Sequence, residues 1–337
     1  MSNITRRAIV GGALAAPLAL AGTRPAHAAE FQLKLGNNVP PAHPMNVHLD
    51  VAARRIREAT DGRVELSLFP SSQLGSDTDM LSQLRSGALE MFCCSGLILS
   101  TLVPVASING VGFAFKDYAQ VWPAMDGKLG ALVRAEIAKR GITAMERIWD
   151  NGFRNVTNSV RPIAKPEDLA GLKIRVPVSP LWTSMFQALG ASPASINFNE
   201  VYSALQTHVV DGEENPMVVV DTAKLYEVQR YLSLTKHMWD GYWPLANTRA
   251  LERLKPQDQA MVVDELNRAA LEQRADAEKL NNELGHKLQA LGMQFNDVDP
   301  APFREKLIAA GFYRDWRRKY GDVAWGVLAE ASGGGLP

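Results

Sequence analysis

The chain has 337 residues, with 36 Lys and Arg set against 36 Asp and Glu and a hydrophobic fraction of 46%. That balance offers no basic footprint for nucleic acid. Two adjacent cysteines, Cys93 and Cys94, cannot staple a fold, and a chain of this length is expected to form two lobes rather than one compact domain.

The first 28 residues read as an export signal. Arg6-Arg7 precede an apolar stretch from Ala8 to about Gly22, which is too short to favour a membrane span. Ala26-His27-Ala28 fits the small-x-small site cut by a signal peptidase. The paired arginines point to the twin-arginine route, with an ordinary Sec signal as the alternative. Removing the segment takes away Arg6, Arg7 and Arg24 and no acid, leaving 33 basic against 36 acidic residues, a balance of −3. No second long apolar run follows, so the mature chain is expected not to span a membrane.

From there the pattern alternates. Phe31, Leu33 and Leu35 alternate with polar residues as in a half-buried strand. Residues 46–60 place Leu49, Ala52 and Ile56 at helical spacing, ended by Asp61-Gly62. Val64, Leu66 and Leu68 form a second strand, stopped by Pro70, and a helix is expected over 74–87. The apolar run from Met91 reads as a strand buried on both faces. This β-α-β-α-β order predicts a largely parallel sheet between helices.

A second α/β block starts near Gly152. It holds a strand over 172–176, helices over 180–189 and 199–209, and an apolar run, 217–220, that fits either helix or strand. The longest helical pattern covers 256–291, with Val262, Leu266, Ala269, Leu280, Leu284, Leu288 and Leu291 at three- or four-residue steps. A helix of that length is expected to run across both lobes. The expected organisation is lobe I from 29–151 plus 241–280 and lobe II from 152–240 plus 281–337, joined by strands rather than a flexible tether.

A cleft between two α/β lobes is the usual place for a ligand. In Gly171-Leu172-Lys173-Ile174-Arg175-Val176-Pro177, Lys173 and Arg175 share one face and Arg175 lies near the carboxyl end of its strand, the end that faces the ligand crevice in open parallel sheets. The planar guanidinium suits a carboxylate, because it offers two parallel N–H donors. A solvated arginine on an open strand face is the plain alternative. Asp211-Gly212-Glu213-Glu214-Asn215-Pro216 reads as a turn rich in acceptors and backbone amides.

Five stretches, in order, carry a family resemblance: Phe69-Pro70-Ser71-Ser72-Gln73-Leu74-Gly75, the Arg175 run, Gly190-Ala191-Ser192-Pro193, Glu200-Val201-Tyr202-Ser203-Ala204-Leu205-Gln206 and the Asn215 run. With them the chain resembles the substrate-binding proteins of TRAP (tripartite ATP-independent periplasmic) transporters over nearly all of its mature length. The resemblance implies a periplasmic, two-lobed α/β binding-protein fold with a cleft between the lobes and a long helix spanning both. It implies closure around a small organic acid, which is then delivered to the small and large subunits of a membrane permease. Arg175 matches the arginine that forms a two-point salt bridge with the ligand carboxylate, and Asn215 the asparagine that bonds the same end. Arg154 matches a second arginine near the carboxylate, and Phe198 an aromatic that packs on the ligand.

Two cations around one carboxylate leave the charge unbalanced, so a further acid, Asp150 or Asp240, or a dianionic ligand is expected. The wall that sets ligand identity is less legible. Sialic-acid-binding relatives carry an acid in the stretch matching Cys93 to Leu97, which includes Ser95; none stands here, so that ligand is disfavoured. Asp77 keeps an acid where such relatives have one. His43, on the loop after the first strand, is a further candidate, with local bonding as the alternative. Trp149 and Trp239 could stack on a ligand ring, with core packing the common fate of such residues. Dicarboxylates, hydroxy or keto acids, aromatic acids and sugar acids all stay open.

No cofactor and no metal is expected, and the protein is expected to act as a monomer. The sequence has no Gly-x-Ser-x-Gly, His-Glu-x-x-His, Cys-x-x-Cys or Gly-x-Gly-x-x-Gly motif, and its six histidines lack ligand spacing. A binding component of an ABC importer or chemoreceptor, and a secreted enzyme acting on organic acids, are the other readings.

Overall fold

The computed structural model describes residues 29–337, so the expected export signal lies outside the described residues. Ten strands form one sheet: β1 (Phe31–Gly36), β2 (Val64–Phe69), β3 (Met91–Ser95), β4 (Ile142–Ala144), β5 (Trp149–Asn158), β6 (Lys173–Val176), β7 (Ser192–Ser195), β8 (Gly212–Asn215), β9 (Tyr231–Asn247) and β10 (Gln294–Asp297). Their order is β2-β1-β3-β9-β5-β8-β6-β7, with β4 and β10 also paired to β9.

Each outer block is parallel, as the alternation predicts: β1 runs parallel to β2 and β3, and β6 to β7 and β8. The middle is not. β9 is antiparallel to β3, β4 and β5, and β5 is antiparallel to β8. The mixed sheet corrects the expectation of a largely parallel one. The cause is β9, a 17-residue strand whose first part pairs with β5 and β10 and whose last part pairs with β3 and β4. At about 3.3 Å per residue it is long enough to run through both halves.

The β3 run shows why that segment is apolar throughout. Met91 and Cys93 enter one hydrophobic cluster, Phe92 and Cys94 the other, so both faces are covered. Cys93 and Cys94 are free and buried.

The helix Pro256–Ala290 has 35 residues. Val262, Leu266, Ala269 and Ala270 pack with Leu33, Leu35 and Leu49 in the first half, while Leu284 and Leu288 join Val218–Val220 and Leu232 in the second. It does span both lobes, and Leu291, exposed, falls just beyond it.

Three local readings change. Residues 212–215 are a buried strand, not a turn, because β5 and β6 supply backbone partners on both sides. The helix expected over 199–209 shrinks to Val201–Gln206 after a 3-10 turn, Phe198–Glu200, and Val209 is exposed. The ambiguous run becomes the helix Met217–Thr222.

Two register shifts interrupt the β5–β9 ladder, at Asp150/Gly152 and at Arg154/Val156. Such bulges re-aim side chains. The first depends on Gly152, at φ 115°, where a Cβ would come within 3.3 Å of Pro216 and within 3.2 Å of the Asn281 amide.

The turn from β3 into the short helix Gly96–Leu99 also depends on a glycine. A Cβ on Gly96 would lie 2.3 Å from the Ala106 carbonyl oxygen, a backbone atom that cannot swing aside. Gly96→Ala is therefore expected to destabilise the protein by about 1–3 kcal/mol, the usual range for overpacking. Urea denaturation checks this as a lowered midpoint at unchanged slope; an unchanged midpoint would show that the turn yields freely.

Candidate functional site

Arg175 comes from the carboxyl end of β6, on the face it shares with Lys173. Lys173 is exposed, but Arg175 is only 1% exposed, because the chain from Ile196 to Phe198 crosses over it. Its Nε donates to the Ile196 carbonyl at 2.9 Å, and its Cζ lies 5.8 Å from the Phe198 ring centroid. Among the described residues no acid forms an ion pair with it, and no acceptor meets its two terminal nitrogens. Burial pulls its pKa down to about 10, with Arg154 nearby adding to the effect, so it remains charged at neutral pH. An uncompensated buried charge is costly.

Arg154, on β5 between the two bulges, is the opposite case. Its Nε and one terminal nitrogen donate to the Glu214 carboxylate at 2.7 and 2.9 Å, the same nitrogen reaches the Glu214 carbonyl at 2.6 Å, and the other meets Asp240 at 3.0 Å. Trp182 lies under its plane at 4.8 Å. Its donors are occupied by protein partners.

Asp240, on β9, also accepts from Ser95 Oγ at 2.8 Å, Asn151 Nδ2 at 3.1 Å and the Gly241 amide at 3.0 Å. Together with Glu214 it balances Arg154. Asp150 does not: it accepts from the Tyr118 hydroxyl at 2.7 Å and the Trp239 indole at 2.8 Å, away from both arginines' donors.

Glu214 is held in turn by His237, whose Nε2 is 3.2 Å away while Nδ1 meets the Thr235 hydroxyl at 2.7 Å. Asn215 donates its amide to Glu213, which also accepts from Thr157 at 2.7 Å. Burial, then repulsion from Glu214, raises the Glu213 pKa to about 7.

Asp77, at the start of the helix Asp77–Ser86, is 2% exposed. It accepts the Phe198 N–H at 3.4 Å. Beside it, Asn197 Nδ2 donates to Thr78 at 3.3 Å, so two contacts tie the two halves together at this rim. The structure thus brings Arg175, Phe198, Asp77 and Asn215 together with Arg154, Asp240 and Ser95.

His43 and the tryptophans stand differently. His43 Nδ1 accepts the Met45 N–H at 3.2 Å and caps the helix Pro44–Ala59; its ring packs edge-on to Tyr242 at 6.3 Å, and Nε2 has no partner among the described residues. Trp149 is fully buried among Leu33, Met45 and Tyr242, with its indole nitrogen unpartnered, and Trp239 is fully buried and spends its indole N–H on Asp150. Sequence reasoning missed Glu213, Glu214, His237, Asn151, Asn38 and Tyr242. The two glutamates were in view, in a stretch that reads as a turn.

A hollow of about 420 Å³ beside the long helix, lined by Met217, Asn281 and Asp297, contains none of these groups. Among the described residues no helix is long and apolar enough to cross a membrane, and no cluster of His, Cys, Asp or Glu could hold a metal ion.

A mixed α/β sheet shared by two lobes, with Arg175 buried and in no ion pair among the described residues, is the arrangement of a two-lobed binding protein. The chain belongs to the family described as bacterial extracellular solute-binding protein, family 7, whose profile matches residues 35–313. Members work outside the cytoplasm, in line with the export signal expected over residues 1–28. An uncharacterised protein of Sinorhizobium fredii is 36% identical over 304 residues; the match covers 89% of this chain and spans about half, 56%, of that longer protein. Two solved TRAP periplasmic solute-binding proteins, each 28% identical, superpose over 90% of this chain and 98% of theirs. One, from Polaromonas sp. JS666, has bound D-erythronate and a TM-score of 0.85. The other, from Sulfurospirillum deleyianum, has bound succinate and a TM-score of 0.84.

The Asp150 bridge yields a prediction. Burial raises its pKa from 3.8 to about 7, so the folded protein keeps a proton that the unfolded chain has released. The linked stabilisation is complete below the unfolded value and fades as pH rises to about 7. Asp150→Asn lacks this titration. The stability of wild type minus that of the variant should therefore fall from pH 4 towards pH 7, by no more than about 1.4 kcal/mol per pH unit. Urea titrations across that window check it, and a difference independent of pH would contradict it.

Proposed function

We propose that this protein captures a small organic acid in the periplasm and presents it to the small and large subunits of a TRAP-type permease, acting as a monomer and leaving the acid chemically unchanged. The observation that carries this reading is Arg175: fully buried, charged, and without a counter-ion among the described residues. A carboxylate entering the cleft would meet two free parallel N–H donors there, with Asn215 beside them and the Phe198 ring against its carbon chain. The acids bound by the Polaromonas and Sulfurospirillum proteins support the same ligand class for this chain.

Residues 29–151 with 241–280, and 152–240 with 281–337, would move as two lobes about β5, β9 and the long helix. A ligand that touches both lobes binds the closed form better and so favours it, and a permease can read that shape.

Two variants test the anchor. Arg175→Ala is expected to abolish the rise in melting temperature that organic acids produce, and Arg175→Lys to weaken binding at least about tenfold, since a point charge cannot reproduce the planar fork. A thermal-shift screen over organic acids, followed by calorimetry, measures both; near-normal affinity in the alanine variant would refute the assignment. Incubating any acid that binds with the protein and analysing it for product separates binding from turnover.

A further inference from the structure

The charge inventory of the site goes further than the class of ligand. Arg154 and Arg175 face four buried acids, Asp77, Glu213, Glu214 and Asp240. Arg154 is consumed by Glu214 and Asp240. Glu213 is engaged by Thr157 and Asn215. What the site leaves for a ligand is one cation, Arg175, and one acid, Asp77, placed on the two sides of Phe198: the first 5.8 Å from its ring, the second 3.4 Å from its backbone nitrogen.

Asp77 has spare acceptor capacity. A carboxylate offers about four lone-pair directions, and here the Phe198 N–H uses one. Beyond it the polar groups are neutral. Among the described residues Tyr242 donates to Asn38 at 3.4 Å, His43 has an unpartnered Nε2 beside Tyr242, and Asn151 keeps an unpartnered Oδ1 next to Asp240. Because His43 Nδ1 accepts from a backbone N–H, Nε2 carries the proton and is a donor. The described residues around Asp77 thus offer acceptors and neutral donors, with no second free cation.

A second ligand carboxylate would face Asp77 there with nothing to neutralise it, and like charges in a buried site repel strongly. A hydroxyl is different: it donates to Asp77 or Asn151 and accepts from neutral N–H groups, so it satisfies both kinds of partner.

We infer that the ligand is a monocarboxylate bearing hydroxyl groups, an aldonate or related sugar acid rather than a dicarboxylate, and that Asp77 is the residue that selects it. This rests on the reading of Arg175 as the carboxylate anchor.

Calorimetry with the mature protein separates the two claims. The probes are D-erythronate, D-gluconate, succinate, malate and L-serine. Wild type is expected to bind at least one of the two hydroxy monoacids ten times or more tighter than succinate, malate or serine. Asp77→Asn, isosteric but uncharged, should narrow that preference about tenfold by weakening the hydroxy acid and admitting the dicarboxylates. Arg175→Ala should lose all of them.

Succinate, malate or serine binding as well as the best hydroxy acid would overturn the ligand class while leaving the anchor intact, provided Arg175→Ala still abolishes binding. An unchanged preference in Asp77→Asn would overturn the selector role. Failure of every acid to bind wild type would overturn both this inference and the proposed function. Circular dichroism melting of Asp77→Asn confirms that it is folded.

Discussion

A guanidinium removed from water without a counter-ion is the constraint around which the rest of this site is arranged. Placing a charge in a protein interior costs several kcal/mol unless partners replace its hydration. Arg175 has one hydrogen bond from Nε and an aromatic face nearby, and among the described residues its remaining donors meet no acceptor. Nearby acids, Glu214, Glu213 and Asp77, offset part of the burial penalty without forming an ion pair among the described residues, while Ile174 and Val176, its neighbours on β6, are fully buried in the main core. Under the proposed function, a ligand carboxylate would replace the missing solvation. Binding and stability are therefore linked, and a bound acid should stabilise the folded protein as its concentration rises above its dissociation constant.

The neighbouring arginine explains how the unpaired state is kept. Four buried acids close to Arg175 could have neutralised it. Arg154 holds two of them with bidentate and single contacts, His237 meets the same Glu214 oxygen that Arg154 Nε holds, and Thr157 and Asn215 occupy Glu213. The bulges in β5 place Arg154 and Asn151 so that both reach Asp240 on β9. Arg154 is thus held by protein acids while Arg175, among the described residues, is not, and the proposed function gives the second to the ligand, although the sequence presents them as a similar pair. The network also lies where β5 and β9 pass between the halves, so the strands that join the lobes also carry the polar contacts that shape the cleft.

Much of this was legible in the residues. The alternation of Phe31, Leu33 and Leu35, the helical stripe of 256–291 and the isolated cations of the Arg175 run each have a period or a stop signal that survives folding. The motifs also brought Asn215, Phe198, Asp77 and Asp240 into view. What stayed hidden depends on tertiary partners. Residues 212–215 read as a turn by composition and become a strand only because β5 and β6 flank them. The division of labour between the arginines turns on Glu214, sixty residues from Arg154 in sequence and in contact with it only after β5 and β8 pair. Trp149 and Trp239 show the same limit: nothing local distinguishes a cleft aromatic from a core one, and both are fully buried, one among aliphatic side chains and the other bonded to Asp150.

The most direct test is a crystal structure of the protein with a hydroxy acid bound. The account predicts both carboxylate oxygens of the guest within about 3 Å of the two terminal nitrogens of Arg175, with Arg154 still gripping Glu214 and Asp240. A guest lying elsewhere, with Arg175 instead paired to one of the four surrounding acids, would contradict it.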